Sequence, residues 1–267
     1  MAAFDGKIAL VTGAGRGLGR AFAEHLASLG CKVCVHGRRE QGPSEYGEGT
    51  TLTQTAIDIG AAHGVETIRV IGDLTVAADV ERIVAESIAR FGRIDILVHN
   101  AGGNIRAGGA GGHPDPDDAI DIGLADVEAV VGANLMSTIL INKAVAIDMR
   151  TRKSGKIVNI SSTAAHATDG RPMYSTAKAG VNHWTKMLAQ QLRPSNVTVN
   201  ALSPGPTRSG RWLANSGEDA EKLVSEGTLD RIGTLEDVSK VMEFFAGPLS
   251  DFVTGQVLIV DGGGTKL

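Results

Sequence analysis

Short apolar runs alternate with helical patterns along nearly the whole chain. The runs are KIALVTG, KVCVHG, ETIRVIGD, DILVHNAG, GKIVNISS, VTVNALSPG and GQVLIVDGG. Between them lie GRAFAEHLASLG, closed by Gly30, and AADVERIVAESIARFG, closed by Gly92. A glycine just past a helix is a favoured C-terminal stop. DVEAVVGANLMSTILINKAVAIDMR is long and apolar on more than one face, and STAKAGVNHWTKMLAQQLR and LEDVSKVMEFFAG follow later. Strands alternating with helices predict a parallel sheet with helices on both faces. Strands buried on both faces read as continuous apolar runs, as these do. No linker, repeat or low-complexity tract interrupts the order. Residues 1–267 therefore read as one α/β domain with a doubly wound sheet.

Composition removes several function classes. The net charge is −4 and aromatics are 4% of 267 residues. Neither a basic footprint nor a set of base-stacking rings is offered to nucleic acid. No apolar run reaches the ~18 residues of a membrane span, so no membrane association is expected. No charged-then-apolar leader precedes the first strand, and the terminal TKL only resembles a peroxisomal tripeptide. A cytoplasmic location is the expectation. The two cysteines, Cys31 and Cys34, lie in a strand-like run. Residues three apart on a strand face opposite ways, so the pair reads as two small buried thiols.

After the first strand comes TGAGRGLG, Thr12 to Gly19, opening a helix. Glycines between a strand and a helix N-terminus let a pyrophosphate approach backbone N–H groups and the positive end of the helix dipole. The spacing is Thr-Gly-x-x-x-Gly-x-Gly. With HNAG, Asn134, NISS, YSTAK and SPGP in the same order, it resembles the successive motifs of the short-chain dehydrogenase/reductase family, across about the whole chain. The resemblance implies a Rossmann-type fold of about seven parallel strands, a nicotinamide cofactor, and a homotetramer or homodimer. It assigns Gly13, Arg16, Gly17, Leu18 and Gly19 to the cofactor turn. Asp73, with Leu74 beside it, matches the residue that contacts adenine. Asn100, Ala101 and Gly102 match the segment packed along the cofactor, with His99 where the family often has Asn. Pro204, Gly205 and Thr207 match the loop at the nicotinamide carboxamide. The last strand matches one that packs at a subunit interface in relatives.

Relatives that use NAD commonly place Asp at the end of strand two. Gly37 stands there instead, followed by Arg38 and Arg39. An acid would repel a 2′-phosphate, whereas Arg binds one bidentately. Arg16 adds a second positive charge. The cofactor expected is NADP(H).

Only two tyrosines are present, and Tyr174 precedes Lys178 by four positions. Positions i and i+4 share a helix face. An alcohol–ketone step needs a proton donor or acceptor at the oxygen, and free Tyr has a pKa of about 10. Bringing it to ~7 takes about 4 kcal/mol. A lysine cation about 4 Å away supplies something of that order at an effective dielectric of 20. The resemblance assigns Tyr174 as general acid/base, and Lys178 to lowering its pKa and holding the nicotinamide ribose. A donor for the substrate oxygen comes from Ser161 or Ser162. Counting from the strand start favours Ser162 and counting back from Tyr174 favours Ser161. Register is harder to change than loop length, so Ser162 is the expectation. Asn134 matches a helix residue of the proton relay to Lys178.

Two stretches look longer than in relatives, 42–53 and 106–120. The second holds His113, Asp115, Asp117 and Asp118, with Asp121 just beyond. Pro and Gly between short acids read as a solvated loop, and no metal is expected. Asn104, Arg106, His166, Asp169, Arg171, Arg208, Arg211 and Trp212 fall in the segments expected around the substrate, the last three before a helix expected at Glu218. Few large apolar side chains lie there. A small oxygenated carbonyl or alcohol (a sugar, polyol, or hydroxy or keto acid) is favoured over a steroid-like ligand. The rival readings are a 3-oxoacyl-thioester reductase and a non-catalytic Rossmann protein that senses nucleotides.

Overall fold

The structure is a computed structural model that describes residues 3–108, 113–168, 170–215 and 228–265. Asp169, the helix expected at Glu218, the centre of the 106–120 loop and the last two residues lie outside the described residues.

Seven parallel strands form one sheet: β1 (Ile8–Thr12), β2 (Lys32–Gly37), β3 (Thr67–Ile71), β4 (Ile96–His99), β5 (Gly155–Ile160), β6 (Val197–Pro204) and β7 (Val257–Val260). Their order is β3-β2-β1-β4-β5-β6-β7. Helices α1 (Gly17–Ser28), α2 (Leu52–His63), α3 (Ala77–Phe91), α4 (Leu124–Val131), α5 (Ser137–Arg152), α6 (Pro172–Leu192), α7 (Gly210–Asn215) and α8 (Leu235–Ala246) connect them. The architecture is the expected Rossmann-type doubly wound sheet.

Strand alternation sorts the core into two layers. Ala9 and Val11 of β1 pack with Phe22, Leu26, Met242 and Phe245 of α1 and α8. Leu10, between them, packs with Ile83, Ile141 and Met149 of α3 and α5. The cysteines follow the same rule. Cys31 joins the first layer and Cys34 the second, and burial pushes both thiols up to about 12. They face opposite sides of the sheet and form no redox pair.

Three elements differ from the sequence reading. Helix α2 was not foreseen, and it takes Leu52 and Thr53 out of the long 42–53 loop; Gly42–Tyr46 of that loop forms a 3-10 turn. The long apolar stretch becomes α4 and α5 joined by a π-turn over Gly132–Met136. That joined segment, Leu124–Arg152, is long and apolar enough to cross a membrane, which corrects the expectation that no stretch reaches that length. Here it is a core element, with Val130, Ile141, Val145 and Met149 buried.

Candidate active site

The connection order reverses between β1 and β4. Open α/β sheets bind ligands at that switch point, beyond the strand C-termini. A cleft of about 1230 Å³ lies there, reaching from the β1 turn to the start of α6.

The β1 turn is braced from below. Gly13 and Gly17 take positive φ, 64° and 53°, which only glycine adopts freely. A Cβ on Gly19 would collide with the Gly13 carbonyl oxygen and approach Asn100 Nδ2 to 2.6 Å. Thr12 Oγ1 accepts from the N–H groups of Asn100 (3.0 Å) and Ala101 (3.1 Å) and meets His99 Nδ1 at 2.9 Å. His36 Nδ1 accepts from the Gly13 N–H at 3.3 Å, so its Nε2–H donates to the Gly72 carbonyl at 3.1 Å. Burial holds His36 down at about 4; burial, aided by Lys178 and His36, holds His99 down at about 3.

A group whose folded pKa is depressed gives stability that is complete above its unfolded pKa. That stability is lost as pH falls toward the folded value. For these histidines the window runs from about pH 6.5 down to about 4 for His36 and 3 for His99. Melting temperature should therefore drop as pH falls through that window, and His36→Asn should flatten the drop. An unchanged slope in that variant would remove His36 from the account.

At the adenosine end, Arg38 is exposed and lines the cleft. A Cβ on Gly37 would already lie 3.0 Å from both Leu52 methyls, so α2 closes the position where an acid would stand. Arg16 is already engaged. It pairs with Glu45 at 2.5 Å, donates to the Gly42 carbonyl at 2.8 Å and lies over the Tyr46 ring at 4.6 Å. Arg39 reaches the same carboxylate at 3.3 Å. The arginines hold Glu45 below the usual carboxylate range, against its own burial. Glu48 accepts from the Gly17 N–H at the start of α1 and from the Gly210 N–H, the latter at 2.7 Å. Neither acid was singled out in the sequence, because only the folded 42–53 loop brings them back onto the turn. Asp73 lines the same end, with one oxygen on Thr75 N (2.9 Å) and Thr75 Oγ1 (2.7 Å), and Leu74 is buried beside it.

At the other end, Ser162, Tyr174 and Lys178 all line the cleft. Burial raises the Tyr174 pKa, while a hydrogen bond with Ser162 and the Arg211 and Arg171 cations pull it down. Ser161 instead is buried and donates to the Lys178 carbonyl at 3.2 Å. The serine that faces Tyr174 is thus Ser162. Lys178 Nζ stands 5.7 Å from the centre of the Tyr174 ring and donates to the Ile160 carbonyl at 2.8 Å. Burial holds it down at about 8. Arg211 and Arg171 therefore act on Tyr174 as well, beside the Lys178 that the sequence reading names. Asn134 sits in the π-turn and is buried. Its Oδ1 accepts from Gly103 N at 2.9 Å; its Nδ2 donates to the carbonyls of Gly103 (2.9 Å) and Val130 (2.8 Å). It clamps the strand immediately beyond Gly102. Pro204, Gly205 and Thr207 form the cleft edge beyond β6. There the Gly205 N–H donates to Val260 O (3.0 Å) and Thr207 Oγ1 to Gly205 O (2.9 Å).

Of the residues expected around the substrate, Asn104, Arg106, Arg171, Arg211 and Trp212 line the cleft, and so does His113 from the long loop. His166 turns toward Ser203 Oγ (3.2 Å), and Arg208 lies outside the lining. Asp117 accepts from Asn104 Nδ2, and Asp118 accepts from the N–H groups of Ile120 and Asp121. These acids fold their own loop.

Fold and cleft together define a Rossmann-type protein with a Ser–Tyr–Lys group beside its glycine turn. The chain matches the family described as enoyl-(acyl carrier protein) reductase over residues 13–265. It is 38% identical to a cyclohexanol dehydrogenase of Rhodococcus sp. strain TK6, over 97% of this chain and 96% of that one. It is 35% identical to a 3-oxoacyl-[acyl-carrier-protein] reductase of Synechocystis, over 98% of each. A 7α-hydroxysteroid dehydrogenase solved with NADH and 7-oxo glycochenodeoxycholic acid superposes with a TM-score of 0.82 at 26% identity, over 99% of this chain and 96% of that one. The chain belongs to the short-chain dehydrogenase/reductase family, oxidoreductases that use a nicotinamide cofactor.

Proposed function

We propose that the protein is an NADP(H)-dependent oxidoreductase that interconverts an alcohol with a ketone or aldehyde on a small oxygenated substrate. The observation that carries this reading is that Ser162, Tyr174 and Lys178 line one cleft together with the glycine turn. Tyr174 gives a proton to the carbonyl oxygen, or takes one from the alcohol. Ser162 donates a hydrogen bond to the same oxygen where charge develops. The nicotinamide, when bound, supplies or accepts the hydride.

The cleft fits such a cofactor. The first turn of α1 holds no acid and no side-chain cap of its own, and the Glu48 carboxylate on the Gly17 N–H shows that this helix start accepts an anion, which a pyrophosphate would displace. Gly13, Gly17, Leu18 and Gly19 would hold the pyrophosphate. Asp73 and Leu74 would hold the adenine. Asn100, Ala101, Gly102, Tyr174, Lys178, Pro204, Gly205 and Thr207 would hold the nicotinamide half. Lys178 is oriented by the Ile160 carbonyl, and Asn134 fixes the backbone of the relay toward it. Residues 1–267 act as one cytoplasmic domain. β7 is the sheet edge, and Leu249, Phe252 and Leu258 are exposed close to it, which favours a homotetramer or homodimer. A monomeric mass by light scattering would count against that.

Consumption of NADPH and NADH with a panel of carbonyl compounds tests the activity. No turnover of any compound with either cofactor would sink it. The acyl-thioester reading is a second candidate because the Synechocystis relative carries that name. A non-catalytic sensor is disfavoured because the serine–tyrosine pair is intact.

Cofactor choice follows from Arg38. A charge-assisted hydrogen bond is worth ~1.5–3 kcal/mol, roughly 10–100-fold. NADPH should bind more tightly than NADH, and Arg38→Asp should narrow or reverse the gap by about that factor. Glu45→Gln should widen it, since Arg16 and Arg39 lose their competing acid. Equal affinities in the native protein would overturn the preference.

A further inference from the structure

The half of the cleft around Tyr174 is cationic. Among the described residues, Arg106, Arg171 and Arg211 line it together with His113, and no acidic side chain does so there; the acids of the described lining, Glu45, Glu48 and Asp73, belong to the adenosine half. Asp117 binds Asn104 Nδ2 at 2.6 Å and acts on His113, and Glu45 of the adenosine half reaches Arg211 by its charge. Arg211 donates to the Asn104 carbonyl at 2.5 Å, and His113 Nδ1 meets the same oxygen at 3.3 Å. Burial, Arg171 and Arg211 all hold the His113 pKa down.

Arg171 stands out within this group. It lies three residues before Tyr174, exposed, with φ of 49°. The two other non-glycine residues with positive φ, Lys153 and Asn196, end helices, where that conformation is common. Arg171 instead begins α6, so helix termination does not account for its backbone. Such strain clusters at ligand-holding positions. Among the described residues its guanidinium has no hydrogen-bond or ion-pair partner. Yet its charge reaches both Tyr174 and His113. Asn104 is buried beside this group, and its Oδ1 has no hydrogen-bond partner among the described residues. An unpaired guanidinium beside a reaction centre is matched by a carboxylate, which it can take bidentately.

We propose that the substrate carries a carboxylate in addition to its reacting carbonyl or carbinol, and that Arg171 binds that carboxylate with Arg211 beside it. The proposal rests on the oxidoreductase reading for where the carbonyl lies. It narrows the substrate to keto or hydroxy acids, and it excludes neutral ketones and polyols as good substrates.

Matched pairs decide it: several 2-oxo and 3-oxo acids, each with its methyl ester, assayed for kcat/KM with NADPH. Each pair is also titrated by calorimetry into the Tyr174→Phe protein saturated with NADPH, which reads binding without turnover. A charged hydrogen bond predicts an acid preference of at least about 10-fold in both assays. Arg171→Met should erase most of it while leaving ester binding, read by calorimetry, within about threefold, and Arg171→Lys should restore part through its charge alone. Esters that react and bind as well as acids, or an Arg171→Met variant that lowers both alike, would overturn the proposal. Turnover without acid preference would sink this inference and leave the oxidoreductase reading standing. Acid-selective binding that needs Arg171, with no turnover of any compound, would do the reverse.

Discussion

Tyr174→Phe should lower kcat on the order of 10³-fold, within the 10²–10⁴ range that a positioned acid or base contributes. The ring is retained, so α6 and the cleft wall keep their packing. What is lost is the hydroxyl that pairs with Ser162. Cofactor affinity should fall by no more than about tenfold, since one phenol hydrogen bond contributes only ~0.5–1.5 kcal/mol. Burial alone would hold the phenol neutral at working pH, and Arg171 and Arg211 oppose it. Weakening that opposition should therefore move the basic limb of the pH–rate profile upward, and Arg171→Met should shift it so. Ser162→Ala should cost more than Ser161→Ala, because Ser161 donates to the Lys178 carbonyl and takes no part in the cleft lining's hydrogen bond to Tyr174. Retention of a tenth or more of the native rate by Tyr174→Phe would remove it from the chemistry.

The fold was legible because strand and helix periods differ, and the seven strand runs carry the parallel-sheet signature of continuous apolar residues. The glycine turn was legible because positive φ and close approach demand glycine itself at Gly13, Gly17 and Gly19. Strand register separates Ser161 from Ser162: β5 runs to Ile160, both serines border the cleft, and Ser161 is the buried one, with its hydroxyl on the Lys178 carbonyl. What escaped the sequence is what long-range packing creates. Glu45 and Glu48 lie about 30 residues past the turn they touch, and nothing in GPSEYGEG announces that return. His36 reads as an ordinary strand residue, yet it bridges Gly13 and Gly72 from inside the fold. Helix spacing puts Lys178 on the face of Tyr174, and the family resemblance assigns it to lowering the Tyr174 pKa. Spacing fixes the shared face and leaves the direction of a four-carbon side chain open, and here the Ile160 carbonyl captures it.

Gly19→Ala should weaken NADPH binding about 100-fold, a loss near 2.7 kcal/mol. Gly19 lies in the first turn of α1 and is not among the positive-φ glycines, so backbone strain is not the issue; space is. An added Cβ would collide with the Gly13 carbonyl oxygen and crowd Asn100 Nδ2 at 2.6 Å. Both neighbours are fixed: Gly13 by the His36 ring, and Asn100 by the Thr12 hydroxyl through its own N–H. The turn must open to admit the methyl, and forced backbone shifts of this kind cost ~1–3 kcal/mol. That opening would separate the α1 N-terminus from the β4 segment, the two sides between which the pyrophosphate would sit. Gly15→Ala is the control. Its added Cβ would meet Pro43 Cγ at 3.1 Å and Leu52 Cδ1 at 3.2 Å, side-chain atoms that can give by a few tenths of an ångström. It should cost no more than about threefold, under 1 kcal/mol. Fluorescence titration of NADPH and the thermal shift it induces measure both variants, and circular dichroism of the cofactor-free proteins checks that α1 is still folded. Equal affinities for the two variants would show that the turn yields where the packing says it cannot.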